Sequence, residues 1–490
     1  MASVSSRSDH EDEEAFEGPA VAGFWEDMED LLDVSDLSGE AAVNTAIVKY
    51  IKTATDHYQE YVKTDQGMYR LGLTFTESLF FRQNKEFSLS KLLSLLSVDL
   101  LDCNLRFIIS FIILCASKGD LSVLELILEF QGFTVIYNTL YNTFAYLNRY
   151  GEDRVLRAST TGSRSDTAST NTEIEWDIIN GLKQTSTILM DILFQIFKYC
   201  KCDISNLAIV DDFFVYYMIN TIQSESTDDI FNNAKFKLLL ALNEQYMIFS
   251  YQYELENRVY KYLADHHISK NFVELLLLKF NRVTNRSLQI MLCKIVYLIL
   301  TMDRNSAETF FYQNDLHVFV DVLIRELKNI PDDEELIRNT FLRVLFPLLS
   351  NTELTKTKYR RSDLINVLEY LSSLDHICSG EVKPVHKTTV RLAQKCLRQV
   401  GWLKADEEYE PLAKVDSKDS RRSSTSVSSA SSNRALGIER WPQHLYANSY
   451  AALSAESITK RHNPPPPPPA RKGPTCNQSG GQKIAQFRPR

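Results

Sequence analysis

Cys200 and Cys202 form a Cys-Lys-Cys pair, the first place in this sequence where residue types and spacing suggest chemistry. Two thiolates begin a zinc site, but tetrahedral coordination needs further Cys or His ligands at short spacing, and no such neighbours follow. The pair reads as two surface thiols at a helix end. His266 and His267 precede an apolar run and read as the start of its helix. A Ser/His/Asp set can be assembled from any chain of 490 residues and carries no information. Phosphate loops, nucleophile elbows and metal-spaced ligand sets do not occur. The chain is expected not to be an enzyme, with no cofactor and no metal.

The chemistry that the sequence does offer is recognition. Near its end it reads KRHNPPPPPPARKGP, with prolines at 464–469. Such a run locks φ, removes backbone donors and forms a polyproline II rod that cannot join a core. Pro466, Pro469 and Arg471 satisfy P-x-x-P-x-R, in which two prolines fill the aromatic grooves of an SH3 domain and the arginine meets its acidic pocket. SH3-domain adaptor proteins are the expected partners, with profilin as a competitor for bare polyproline. In RRSSTS, Arg421 and Arg422 stand just before Ser423 and Ser424, which are candidate phosphorylation sites for a basic-directed kinase. At the other end, GFWEDMEDLLD sets Trp25 among carboxylates and resembles the acidic tryptophan peptides of Wiskott–Aldrich-type nucleation-promoting factors. However, Trp25, Met28, Leu31 and Leu32 share one helical face, so this segment is predicted to cover the first exposed layer of a helical body. CLRQVGWLK has too short a spacing for an actin-monomer motif and reads as core helix.

The elements that present these motifs follow from composition. Glycine is scarce, at 16, and Leu, Ile, Phe and Tyr abound, which favours helices joined by short connections. The start has no apolar h-region and is acidic, so neither a secretory signal nor a mitochondrial presequence is expected, and the cytoplasm is the expected compartment. The most apolar run, around 107–116, is shorter than the ~20 residues that span a bilayer, so no transmembrane segment is expected. The net charge of −9 hides an acidic head and a basic tail, and the middle lacks the basic, aromatic-laced stripe of a nucleic-acid binder. An acidic segment at 1–36, a helical domain at 37–405 and a disordered Ser-rich tail at 406–490 are predicted, with a mobile polar insert at 150–173.

Within the domain the period is helical. Leu288, Met291, Leu292, Ile295, Ile299 and Met302 recur at three- and four-residue intervals behind a cap at Thr284 or Asn285. Pro331 is expected at a first helical position, followed by acids at 332–335 that complement the dipole, and Pro347 is expected to kink the same helix. Helix starts near His266, Asn285, Asn314, Pro331, Ser362 and Val385 give an offset of roughly 48 residues between alternate starts, close to helical repeat lengths. The expected fold is all-α: an irregular armadillo/HEAT-like solenoid with an acidic N-terminal tail and a Ser/Pro-rich basic C-terminal tail.

KFKLLLALNEQYM, at 235–247, and the NRVYKYLADHHISKNFVELLLLKFNR that follows resemble the leucine-rich domain of the WISH/DIP/SPIN family of actin-related protein 2/3 complex activators. The resemblance covers about 41–404 and is specific in Leu238, Leu239, Leu240, Leu242, Asn243, Glu244 and Gln245. The layout, with its C-terminal polyproline tail, looks most like the family's budding-yeast endocytic form. The resemblance implies an armadillo-like domain that binds the complex and activates it without a preformed mother filament, seeding linear filaments at cortical actin patches. The chain departs from the animal members, which carry their own SH3 domain; here a proline ligand replaces it. Of the signature, the leucines read as core, and Asn243, Glu244 and Gln245 read as ordering the helix end ahead of binding a partner directly. A formin is set aside because only a short tail follows the prolines. A non-activating endocytic scaffold built on the same solenoid remains the alternative.

Overall fold

Helices that are apolar on one side pack against one neighbour, whereas helices apolar all round need neighbours on every side, and both kinds occur here. The computed structural model describes residues 19–33, 39–98, 102–151, 166–226, 228–250, 253–377 and 380–404. Among these, every regular element is helical.

The first part holds α1 (Pro19–Asp30), α2 (Glu40–Tyr61), α3 (Asp65–Thr76), α4 (Leu79–Gln83), α5 (Lys85–Leu96), α6 (Cys103–Gly119), α7 (Ser122–Glu129) and α8 (Gly132–Tyr150). α6 is the apolar run of the sequence, and it is buried without interruption over 108–117 because α2, α3 and α5 all pack on it. α3 crosses it at Gly72, where an added Cβ would run into Cys115 Sγ and lie 3.2 Å from the Phe111 ring. Only glycine lets the two helices approach this closely. α9 (Asp166–Tyr199) follows. It begins eight residues before Ile174, where the sequence pattern placed the resumption of helix, so the insert that is expected to be mobile is helical from Asp166 onward; 152–165 lie outside the described residues. The Ser/Thr-rich composition that hides this start is weak as a helix former but does not forbid one.

From here the chain repeats a plan of one short, one outer and one inner helix. The units are α10 (Ile204–Ala208), α11 (Asp212–Asn220) and α12 (Ile230–Phe249); α13 (Arg258–Leu263), α14 (His266–Arg282) and α15 (Arg286–Met302); α16 (Arg304–Phe310), α17 (Gln313–Asn329) and α18 (Glu335–Asn351); then α19 (Leu354–Thr357), α20 (Arg361–Leu371), α21 (Leu374–Ile377) and α22 (Pro384–Gln399), closed by a 3-10 turn at Gly401–Leu403. Inner helices stack in the order α6, α9, α12, α15, α18, α22, and outer helices in the order α8, α11, α14, α17, α20. The chain is an all-α, irregular armadillo-like solenoid.

Short polar side chains punctuate the units. Asp211, Asp229, Asn257, Asp265 and Asn285 each accept from a first-turn amide of the helix they precede. The expected starts at His266, Asn285, Asn314, Ser362 and Val385 fall within about one residue of observed ones. Pro331 does not: it precedes a 3-10 turn at Asp332–Glu334, and α18 begins only at Glu335. Glu335 is buried rather than facing the dipole from solvent, and the helix continues past Pro347 to Asn351.

Candidate functional site

Along α12 the signature leucines at 238, 239, 240 and 242 are buried, Leu240 completely. The three polar residues that follow are buried too, at 0% exposure for Asn243, 1% for Glu244 and 6% for Gln245. A buried polar group needs a partner, and each of these finds one in a different neighbour. Asn243 Oδ1 accepts from Asn257 Nδ2 at 2.9 Å, while Asn257 Oδ1 accepts from the Tyr260 amide at 3.1 Å. Asn243 therefore holds the cap of α13. Glu244 forms an ion pair with Lys294 of α15, itself 2% exposed. Gln245 Nε2 donates to the Phe197 carbonyl at 2.8 Å. That carbonyl belongs to the last turn of α9, where no intrahelical donor remains. The signature thus ties α12 to the unit before it and the unit after it, rather than ordering the end of its own helix.

The same solution recurs down the stack. Asn351 Nδ2 donates to the Leu300 carbonyl in the last turn of α15, and Trp402 Nε1 donates to the Leu349 carbonyl in the last turn of α18, both at 2.9 Å. Donor and acceptor stand 48, 51 and 53 residues apart in these three bonds, and the buried ion pair spans 50. The repeat is therefore written in polar contacts between units. A second buried cluster joins α18 to α22: Arg338 pairs with Glu335, the Thr389 hydroxyl meets Glu335 and lies 3.0 Å from Asn339 Oδ1, and Asn339 Nδ2 donates to the Val385 carbonyl at 3.2 Å. Sequence reasoning missed Lys294, Asn257, Asn339 and Thr389, and it read Glu335 only as an acid facing the helix dipole. For Lys294 a signal existed, a lone cation inside the apolar run LQIMLCKIVYLIL.

Other sequence-level candidates find definite places. Cys202 is buried and Cys200 half-buried, so they are not two surface thiols; the residues after α9 turn inward where a solvent-facing helix end was expected. Burial pushes the Cys202 thiol up to about 12 and that of Cys200 up to about 11. Trp25 is 3% exposed, with the Arg70 guanidinium 4.3 Å above its ring, and Met28 and Leu32 are buried beside it. It covers the first layer and is not displayed as a peptide motif. His266 opens α14, its ring 5.0 Å from that of Phe310, and Asp265 caps the His267 amide. Among the described residues no group of three or more His, Cys, Asp or Glu could hold a metal, and no helix is long and apolar enough to cross a membrane. Pro466, Pro469, Arg471, Ser423 and Ser424 lie outside the described residues.

An open groove of about 350 Å³ runs between α9 and α12, lined by Met190, Phe194, Ile230, Ala234, Lys237 and Lys279. Ile230 is 73% exposed, which is unusual for an aliphatic side chain at a helix start. Burial and the neighbouring Lys237 and Arg282 cations hold the Lys279 ammonium below its ordinary range.

A family described as SPIN90/Ldb17, leucine-rich domain, matches residues 228–364, from just before α12 into α20. The protein LDB17 of Saccharomyces cerevisiae is 50% identical over 454 residues, covering 90% of this chain and 92% of that protein. The protein LDB17 of Eremothecium gossypii is 51% identical over 387 residues, 79% of this chain and 82% of its own. The protein dip1 of Schizosaccharomyces pombe is 26% identical over 229 residues, 44% of this chain and 59% of its own.

Proposed function

The chain belongs to the SPIN90/Ldb17 leucine-rich-domain family, and from that premise we propose that it binds the actin-related protein 2/3 complex and activates it without a preformed mother filament, seeding linear filaments at cortical endocytic sites in the cytoplasm. The observation that carries this reading is where the family match falls. It spans the stretch in which buried polar contacts fasten α12 to α9, α13 and α15, so the matched surface is preformed. A protein that works by docking needs such a surface and no reactive group. The groove between α9 and α12, with Ile230 and Lys237 at its rim, is the contact surface we assign to the complex.

Attachment is a separate task. Pro466, Pro469 and Arg471 act as an SH3 ligand that joins the solenoid to endocytic adaptor proteins, and tethering raises its local concentration. Profilin competes for the same prolines. No catalytic chemistry and no cofactor enter this reading.

The test is polymerisation of pyrene-labelled actin with purified complex and no preformed filaments. The expected result is a shortened lag and unbranched filaments by microscopy. An unchanged lag with the complex still bound assigns the chain to the alternative, a non-activating endocytic scaffold.

A further inference from the structure

The outer helix α11 reads DFFVYYMIN, four aromatic rings in nine residues, more than its core-facing side can take. Phe214, Val215, Tyr217 and Met218 are buried in the body, which leaves Phe213 and Tyr216, about one helical turn apart, at the outer surface. Each meets a ring from a flanking helix. Phe213 stands 5.2 Å from Tyr141 of α8 at an interplanar angle of 68°, and Tyr216 stands 5.7 Å from Tyr262 of α13 at 61°. All four rings are half-buried. Each pair thus forms a steep-walled aromatic notch at the surface, one where α8 packs on α11 and the other where α13 packs on α11.

The two notches differ in charge. At the first, Asp211 accepts from the Tyr137 hydroxyl at 3.3 Å and from the Phe214 amide at 2.9 Å, both through Oδ1, and its charge holds the Tyr141 phenol above its ordinary value. At the second, the Lys261 ammonium lies 5.5 Å above the Tyr262 ring and pairs with Asp212 at 2.9 Å. Asp212 is therefore neutralised, whereas Asp211 forms no ion pair among the described residues. The surface has a negative end beside α8.

We propose that this surface binds a proline-rich segment of a partner protein as a polyproline II helix, with one proline in each notch and a basic residue against Asp211. The spacing agrees: packed helices stand about 8–10 Å apart, which separates the notches by one helix spacing, and three residues of polyproline II advance about 9 Å. A P-x-x-P segment laid across α11 reaches both. Its carbonyls have no internal partner, and the hydroxyls of Tyr141, Tyr216 and Tyr262 supply donors beside them. An amphipathic helix needs one continuous apolar groove, which two separate notches do not provide. The surface shares no residue with the groove between α9 and α12, so it is a second docking site.

Fluorescence anisotropy of a fluorescein-labelled decaproline peptide ending in arginine, titrated with the full chain, tests this. The expected result is saturable binding that weakens about tenfold in Phe213→Leu and in Tyr262→Leu, one ring from each notch, with helical circular dichroism kept. Asp211→Asn, which preserves the helix cap, should weaken the arginine-ended peptide about threefold and leave plain decaproline unchanged. Equal binding of a Gly/Ser peptide carrying the same arginine, binding unchanged in both ring variants, or no binding at all overturns the proposal. Binding seen only in the Pro466→Ala/Pro469→Ala/Arg471→Ala chain also overturns it and makes the molecule's own prolines the occupant.

Discussion

Glu244 and Lys294 place opposite charges where neither meets water, so each depends on the other. Replacing Lys294 with Met should leave a buried carboxylate without its cation and lower stability by about 3–5 kcal/mol, read from urea unfolding. The joint Glu244→Leu/Lys294→Met variant should recover most of that loss, because desolvation of both charges disappears with them. The buried thiols supply a second expectation. From an ordinary value of 9.0, burial raises Cys115 and Cys200 to about 11 and Cys202 to about 12. The unfolded chain therefore loses these protons from about pH 9, while the folded chain keeps them until 11–12. Their contribution is fully present below pH 9 and lost as pH rises through that window, so the urea midpoint should fall steadily above pH 9, and Cys202 should resist alkylation at pH 8 in the native state. At this scale the sequence was partly readable. Asn243, Glu244 and Gln245 stand out against their leucines, but the partners of Glu244 and Gln245 lie 50 and 48 residues away, a distance over which residue identity says nothing about pairing.

Among elements, the last turn of one inner helix is completed by a side chain of a later segment. Gln245→Leu should remove the donor from the Phe197 carbonyl, cost about 1–3 kcal/mol and speed amide exchange in the last turn of α9, while α18 and α22 stay as protected as before. Uniform loss of protection across all units would show that the contact is not local. This arrangement also explains why the repeat is faint in the sequence. Gln245, Asn351 and Trp402 do one job with three different residue types, so no residue recurs at the period. Helix starts were legible because Asp and Asn caps mark them, as at Asp265 and Asn285. Asp166 was not, since its Ser/Thr-rich neighbours suit a loop equally well, and Cys202 misled because a helix end in sequence need not be a surface in a stack.

For the whole molecule, the body and the tail have different physics and should separate in experiment. A chain ending at Glu410 keeps every described element and should still shorten the lag of actin polymerisation in the purified assay. In cells the same truncation should weaken recruitment to cortical sites, and Pro466→Ala/Pro469→Ala/Arg471→Ala should reproduce that loss alone. Inert truncated protein beside active full-length protein would place nucleation partly in the tail. The solenoid was legible at this scale because apolar periodicity and scarce glycine leave few other architectures; the groove at Ile230 was not, because exposure depends on which neighbours the stack brings near.

The bonds that complete the last turns of the inner helices, from Gln245, Asn351 and Trp402, each run from a later donor to an earlier carbonyl, and this series gives the stack a mechanical polarity. A pull on the tail enters at the grip of Arg361 on the Trp402 and Lys404 carbonyls. It reaches α18 next, through Leu349 and the cluster around Thr389, and passes from Asn351 to the units behind it. Tension would thus open the solenoid from α22 inward, one unit at a time, and the contacts of Asn243, Glu244 and Gln245 would be among the last to feel the load.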